Sequence, residues 1–125
     1  KNRQLPAFEN NSLTSSRERY EGFINSDYYQ KGYKVGWLNA SIKATQFVFQ
    51  KINLQKITVP LHIFTGADDR IISLEKVLQW HRQFERQSPG QCKHVMFEGK
   101  HELLSEGPKY YPTVIHEVNR WLVDL

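Results

Sequence analysis

The chain has a single cysteine among its 125 residues. Cys92 alone excludes an internal disulfide and any cysteine-built metal knuckle, and it favours a reducing compartment over secretion. No stretch approaches the roughly 20 consecutive apolar residues of a membrane-crossing helix, so peripheral contact is the most that a membrane could offer this sequence. Residues 1–16 are polar and hold no apolar run of the kind that signal peptides carry. There is no internal repeat and no low-complexity tract. Helix-turn-helix, zinc-finger and RNA-binding aromatic patterns are missing and the basic residues are scattered, which sets nucleic acid aside. Two Asn-X-Ser triplets, beginning at Asn10 and Asn39, are too short a pattern to carry weight.

Charge is present but uneven. The formal net charge is +4, with nine Lys/Arg against four Asp/Glu in residues 1–58 and eight against nine in residues 59–125. A basic first half suits an anionic surface or phospholipid headgroups, with a solvated face as the plain alternative.

Thr14 to about Tyr29 reads as a capped helix with Tyr20, Phe23 and Ile24 on one face. After a turn around Gly32 and Gly36, residues 37–52 read as a second helix whose apolar positions (Trp37, Leu38, Ile42, Phe47, Val48, Phe49, Ile52) wrap more than one side. That pattern predicts broad burial or the wall of a greasy site. The period then changes. Leu61 to Thr65 is a short apolar run behind Pro60, fit for a buried strand. Ser73 can cap a helix to about Gln87, with Leu74, Val77, Leu78, His81 and Phe84 as a core-facing stripe. Ser88-Pro89-Gly90 breaks it, and Lys93 to Phe97 forms a second strand. A last helix opens between Pro108 and Pro112, with Val114, Ile115, Val118, Trp121, Leu122 and Leu125 along one side. The expected fold class is α/β, a helical segment followed by strand, helix, strand and helix. Two parallel strands joined by one crossover helix send their following loops to the same sheet edge, where open α/β folds place ligands.

Those two loops hold the chemistry. The first contains Asp68 and Asp69, the second His101. A carboxylate that orients an imidazole, which in turn takes a proton from a hydroxyl, is the acid and base part of nucleophilic catalysis. Taken singly, an Asp in such a loop is more often a turn or capping residue, and Asp68 rivals Asp69. His62 lies within a strand, His81 on a helix stripe, His94 at a strand start and His116 inside the last helix; only His101 follows a strand in a Gly-containing loop. His62, His94 and His101 could converge on a metal, but no ligand spacing such as H-E-x-x-H supports it.

Asp before His near the end of a chain is the order of the last two members of an α/β-hydrolase triad, whose serine comes first. No G-x-S-x-G elbow and no HGGG-type oxyanion loop occurs in the 125 residues. Ser73 and Ser105 read as a helix cap and a loop hydroxyl, so no nucleophile is assigned here. A chain this short cannot form a whole hydrolase sheet covered on both faces. It is expected to be the carboxyl-terminal part of a longer protein.

Thr65-Gly66-Ala67-Asp68-Asp69-Arg70-Ile71-Ile72 and Phe97-Glu98-Gly99-Lys100-His101-Glu102-Leu103-Leu104-Ser105-Glu106 resemble the acid and histidine loops of the serine aminopeptidase/monoglyceride lipase group of α/β-hydrolases. Asn11 to Tyr20 and Val35 to Ile42 resemble the lid segment of its bacterial lysophospholipase branch. The resemblance implies that Asp69 is the triad acid, because the group's pattern sets the acid directly before Arg70 and two apolar residues, and that His101 is the base. It implies a helical cap over residues 1–55 and the last two strands and helices of the core over residues 56–125. It further implies an upstream serine, no cofactor, and hydrolysis of a lysophospholipid or monoacyl ester. A monoacylglycerol lipase or other esterase is the alternative, and a non-catalytic binding module of the same fold is the rival from another class. The setting implied is the bacterial cytoplasm, with peripheral contact at the inner membrane. A sheet edge left open would pair with a second copy or with the missing amino-terminal half.

Overall fold

The computed structural model describes residues 7–26 and 35–124. A 3-10 turn at Phe8–Asn10 leads to helix α1 (Arg17–Ile24), followed by α2 (Val35–Val48), α3 (Lys51–Leu54), strand β1 (Leu61–Gly66), α4 (Leu74–Glu85), strand β2 (Cys92–Phe97), a 3-10 turn at Leu103–Ser105 and α5 (Tyr111–Val123). The strands pair in parallel, Leu61 opposite Cys92 through Gly66 opposite Phe97. The expected strand, helix, strand, helix order is therefore present.

Local chemistry sets the element ends. Ser16 and Ser73 cap α1 and α4 by accepting the N–H groups of Arg19 and Lys76. Thr14, expected at the start of the first helix, stays outside it because the Asn11 side chain accepts the N–H groups of Leu13 and Thr14 and folds that stretch into a turn. The second helix ends at Val48, short of the expected Ile52. There the Asn53 amide donates to the Phe47 carbonyl (2.8 Å), which closes the helix end before α3 begins. Pro112 lies in the first turn of α5, where its missing N–H costs nothing. The expected positions Tyr29, Gly32 and Leu125, and the Ile52 side chain, lie outside the described residues.

Side-chain alternation along the strands divides the packing into two faces. On one, Leu61 and Ile63 pack with Ile57 and Trp80 against the buried cluster of Leu54, Phe84 and Cys92. Trp80, absent from the expected stripe, stacks on Phe84 (centroids 5.3 Å apart, planes 11° apart) and donates its Nε1–H to the Val48 carbonyl (3.0 Å), tying α4 to the end of α2. On the other face His62 meets Phe64 and the edge of Trp121 from α5. The α4–β2 connection is fixed by Glu85, whose carboxyl oxygens accept the N–H groups of Gly90 and Cys92.

Of the two expectations for the second helix, broad burial fails. None of the residues of α2 is buried, and Trp37, Leu38, Ile42, Phe47 and Val48 are all exposed. Its apolar positions encircle the helix, so one line of contact cannot cover them.

Candidate active site

β1 and β2 deliver their following loops side by side at the sheet's carboxyl edge. The Ala67 N–H donates to the Phe97 carbonyl (2.8 Å) and the Asp68 N–H to the Gly99 carbonyl (2.9 Å), extending the ladder beyond the strands. Gly66 makes that approach feasible. A Cβ there would overlap the Lys100 carbonyl oxygen and sit 2.5 Å from that of Gly99.

Across this junction Asp69 meets His101, with Oδ2 2.8 Å from Nδ1. The Asp69 side chain is 3% exposed and that of His101 30%. The other Asp69 oxygen, Oδ1, accepts the N–H groups of Ile71 (2.8 Å) and Ile72 (3.2 Å). The turn-capping role expected of a lone aspartate and the role of orienting an imidazole thus fall on the two oxygens of one residue. Burial alone would push this carboxyl up. The hydrogen bonds from His101, Ile71 and Ile72 and the charge that His101 can carry outweigh it, and the carboxyl is held below the ordinary aspartate value.

An ionised carboxylate only accepts, so Nδ1 carries the proton and Nε2 of a neutral His101 is left as the acceptor. Among the described residues nothing hydrogen-bonds to Nε2. The unit can therefore receive a proton at Nε2 while Asp69 stabilises the resulting cation, which is what a general base needs. Asp68 joins the loops through its backbone only, and its exposed side chain makes no hydrogen bond among the described residues.

The other histidines are occupied elsewhere. His94 Nε2 and Thr65 Oγ1 are hydrogen-bonded at 2.8 Å, and His81 Nε2 lies 3.1 Å from the Cys92 carbonyl oxygen. His62 is held in its aromatic pocket with both ring nitrogens buried and unpartnered. Burial lowers the pKa of His62 and of His94. The convergence of His62, His94 and His101 is not formed, and among the described residues no group of three His, Cys, Asp or Glu is placed to hold a metal ion. Ser73 caps α4 as expected, and the backbone carbonyl of Ser105 accepts the Thr14 hydroxyl (2.8 Å).

Three residues that hold the histidine loop were not among the expected site residues. Glu106 is buried and accepts the N–H groups of Lys100 and Ser15. Gly99 has φ +140°, and Thr14 is buried beneath the loop. A charged residue between Ser105 and Gly107 carries no local mark of burial. The only legible signal was the run of Gly, His and Glu that closes the second motif.

Residues 1–108 match the model of the family described as serine aminopeptidase, S33, within the α/β-hydrolase superfamily. No curated protein matches the chain. The match spans well over half of the sequence, and the chain belongs to that family.

Proposed function

We propose that this member of the serine aminopeptidase S33 family carries the acid and base of a serine hydrolase, Asp69 orienting and His101 transferring the proton. The observation that supports the reading most strongly is the 2.8 Å bond from His101 to a carboxylate 3% exposed, at the shared edge of two parallel strands.

As a serine Oγ bonds to the acyl carbon, its proton passes to His101 Nε2, and Asp69 stabilises the imidazolium. Collapse of the tetrahedral adduct breaks the bond to the leaving alkoxide, which takes that proton and departs as the alcohol. Water then repeats the sequence on the acyl-enzyme: His101 accepts its proton and returns it to the serine as the carboxylic acid leaves. With no G-x-S-x-G in these 125 residues, the serine and the oxyanion donors belong to polypeptide outside this sequence. The chain alone is accordingly inactive.

The substrate class we favour is a lysophospholipid, with a monoacylglycerol or another monoacyl ester as the second choice. Two features support a lipid. Helix α2 exposes Trp37, Leu38, Ile42, Phe47 and Val48 to whatever the cap covers, and the basic excess of residues 1–58 suits a phosphate headgroup at the anionic inner face of a bacterial membrane. Residues 1–55 serve as the cap and residues 56–125 as the end of the core. The open side of the two-stranded sheet pairs with the amino-terminal part of the same protein or with a second copy.

Fluorophosphonate labelling of the full-length protein, with the labelled peptide mapped and His101→Ala as control, tests the reading. A labelled serine upstream of Lys1, lost in the control, is expected. A folded full-length protein that takes no label would instead mark it as a non-catalytic relative.

A further inference from the structure

A carboxyl group is costly to bury unless both oxygens find donors. Glu106 is 2% exposed. Its Oε1 accepts the N–H of Lys100 at 2.7 Å and its Oε2 the N–H of Ser15 at 2.9 Å, so one side chain joins stretches of backbone far apart in sequence. Gly99 is shaped to it. With φ +140°, its backbone passes so close that a Cβ would sit 3.2 Å from Glu106 Cγ and Oε1.

Four more bonds lie around this one. Thr14 Oγ1 donates to the Ser105 carbonyl (2.8 Å), the Glu102 N–H to the Leu13 carbonyl (2.8 Å), Lys100 Nζ to the Asn11 carbonyl (2.9 Å) and the His101 N–H to the Ser12 carbonyl (3.4 Å). None of them touches the imidazole or Asp69. They fix the backbone on both sides of His101, whose ring is otherwise held by a single hydrogen bond from a partly exposed position.

We propose that Glu106 is a positioning residue for His101: its carboxyl clamps the histidine loop to residues 11–16, the segment that leads into α1, and so fixes where Nε2 points. The inference rests on the Asp69–His101 reading above. A carboxylate suits the task because both partners are N–H donors. Glutamine would retain one acceptor and set its NH₂ against the other donor. The arrangement also makes the approach to α1 part of the proton-transfer machinery, since any displacement of residues 11–16 pulls on the loop that carries the base.

The test is Glu106→Gln in the full-length protein labelled with ¹⁵N-histidine, with ester hydrolysis measured alongside. The unaltered protein is expected to show a low-field Nδ1–H resonance, assigned to His101 by its loss in His101→Ala. In the variant that resonance disappears or broadens, and kcat falls on the order of 10²-fold, as for about 1 Å of misplacement. KM stays within about twofold, because substrate contacts are not removed. A folded variant that keeps both the resonance and kcat overturns the clamp and leaves the Asp69–His101 pair standing. No low-field resonance in the unaltered protein, together with an Asp69→Asn variant of full activity, overturns the pair and the clamp with it. If Glu106→Gln does not fold, hydrogen exchange on the unaltered protein decides. The Ser15 and Lys100 amides are expected to exchange together with equal protection, and an unprotected Ser15 beside a protected Lys100 refutes the clamp.

Discussion

Gly66→Ala isolates the geometry that brings acid and base together. Gly66 has no positive φ, so alanine meets no backbone penalty there. The obstacle is space. The added Cβ overlaps the Lys100 carbonyl oxygen and lies 2.5 Å from Gly99 O and 3.0 Å from Gly99 C. These are backbone atoms and cannot rotate away. Comfortable contact needs roughly 3.5 Å, so the histidine loop must retreat by about 1 Å. Overpacking of this kind costs about 1–3 kcal/mol, partly offset by the ~0.4–1 kcal/mol that alanine gains by restricting the unfolded chain. With a urea slope of about 1–3 kcal/mol/M, the expected fall in the unfolding midpoint is roughly 0.5–1 M. The same retreat separates His101 from Asp69, and hydrolysis by the full-length protein should fall on the order of 10²-fold. A midpoint unchanged or raised by the unfolded-state gain alone, with activity retained, would refute the claim that the two loops meet over Gly66.

The remaining expectations concern the core beneath the site. His62→Phe should raise stability by about 1 kcal/mol at neutral pH, because it removes two buried ring nitrogens that have no partner. Burial lowers the His62 and His94 pKa values, so the stability they allow is full above the ordinary imidazole value and is lost as pH falls below it toward the depressed folded values. Thermal unfolding at pH 7 and pH 5 should show a smaller loss in His62→Phe than in the unaltered protein, and an equal loss would contradict the assignment. Asp69 acts further down the scale: its depressed pKa leaves its contribution intact above the ordinary aspartate value and removes it as pH falls through the folded one. Phe84→Ala should cost about 3–5 kcal/mol in denaturant unfolding, since Phe84 is fully buried against Leu54 and Cys92 and stacked by Trp80. A cost below ~1 kcal/mol would mean that this cluster is not the core.

The sequence was most legible where local and long-range preferences coincide. Ser73 before an apolar stripe and Pro60 before a branched apolar run mark elements that packing then confirms, and β1, α4 and β2 fall within a few residues of their expected bounds. Pairing of Asp69 with His101 followed from topology, since one crossover sends both loops to one edge. Legibility ended at contacts between distant backbone segments. The bonds from Glu106 to Ser15 and from Thr14 to Ser105 span 91 residues, and nothing in either stretch names its partner. For helix α2 the broad-burial branch of the expectation failed for a different reason: hydrophobicity on every side says that cover is wanted without saying that the described chain provides it.

The central claim is that Asp69, and not its neighbour Asp68, orients the base. Ester hydrolysis by the full-length protein carrying Asp69→Asn or Asp68→Asn tests it most directly. Asp69→Asn should lose on the order of 10⁴-fold in kcat, as when the orienting carboxylate of a triad is replaced, and Asp68→Asn should change it by no more than about a few-fold, because the exposed Asp68 carboxyl makes no hydrogen bond among the described residues. The reverse order, or full activity in both, would contradict it.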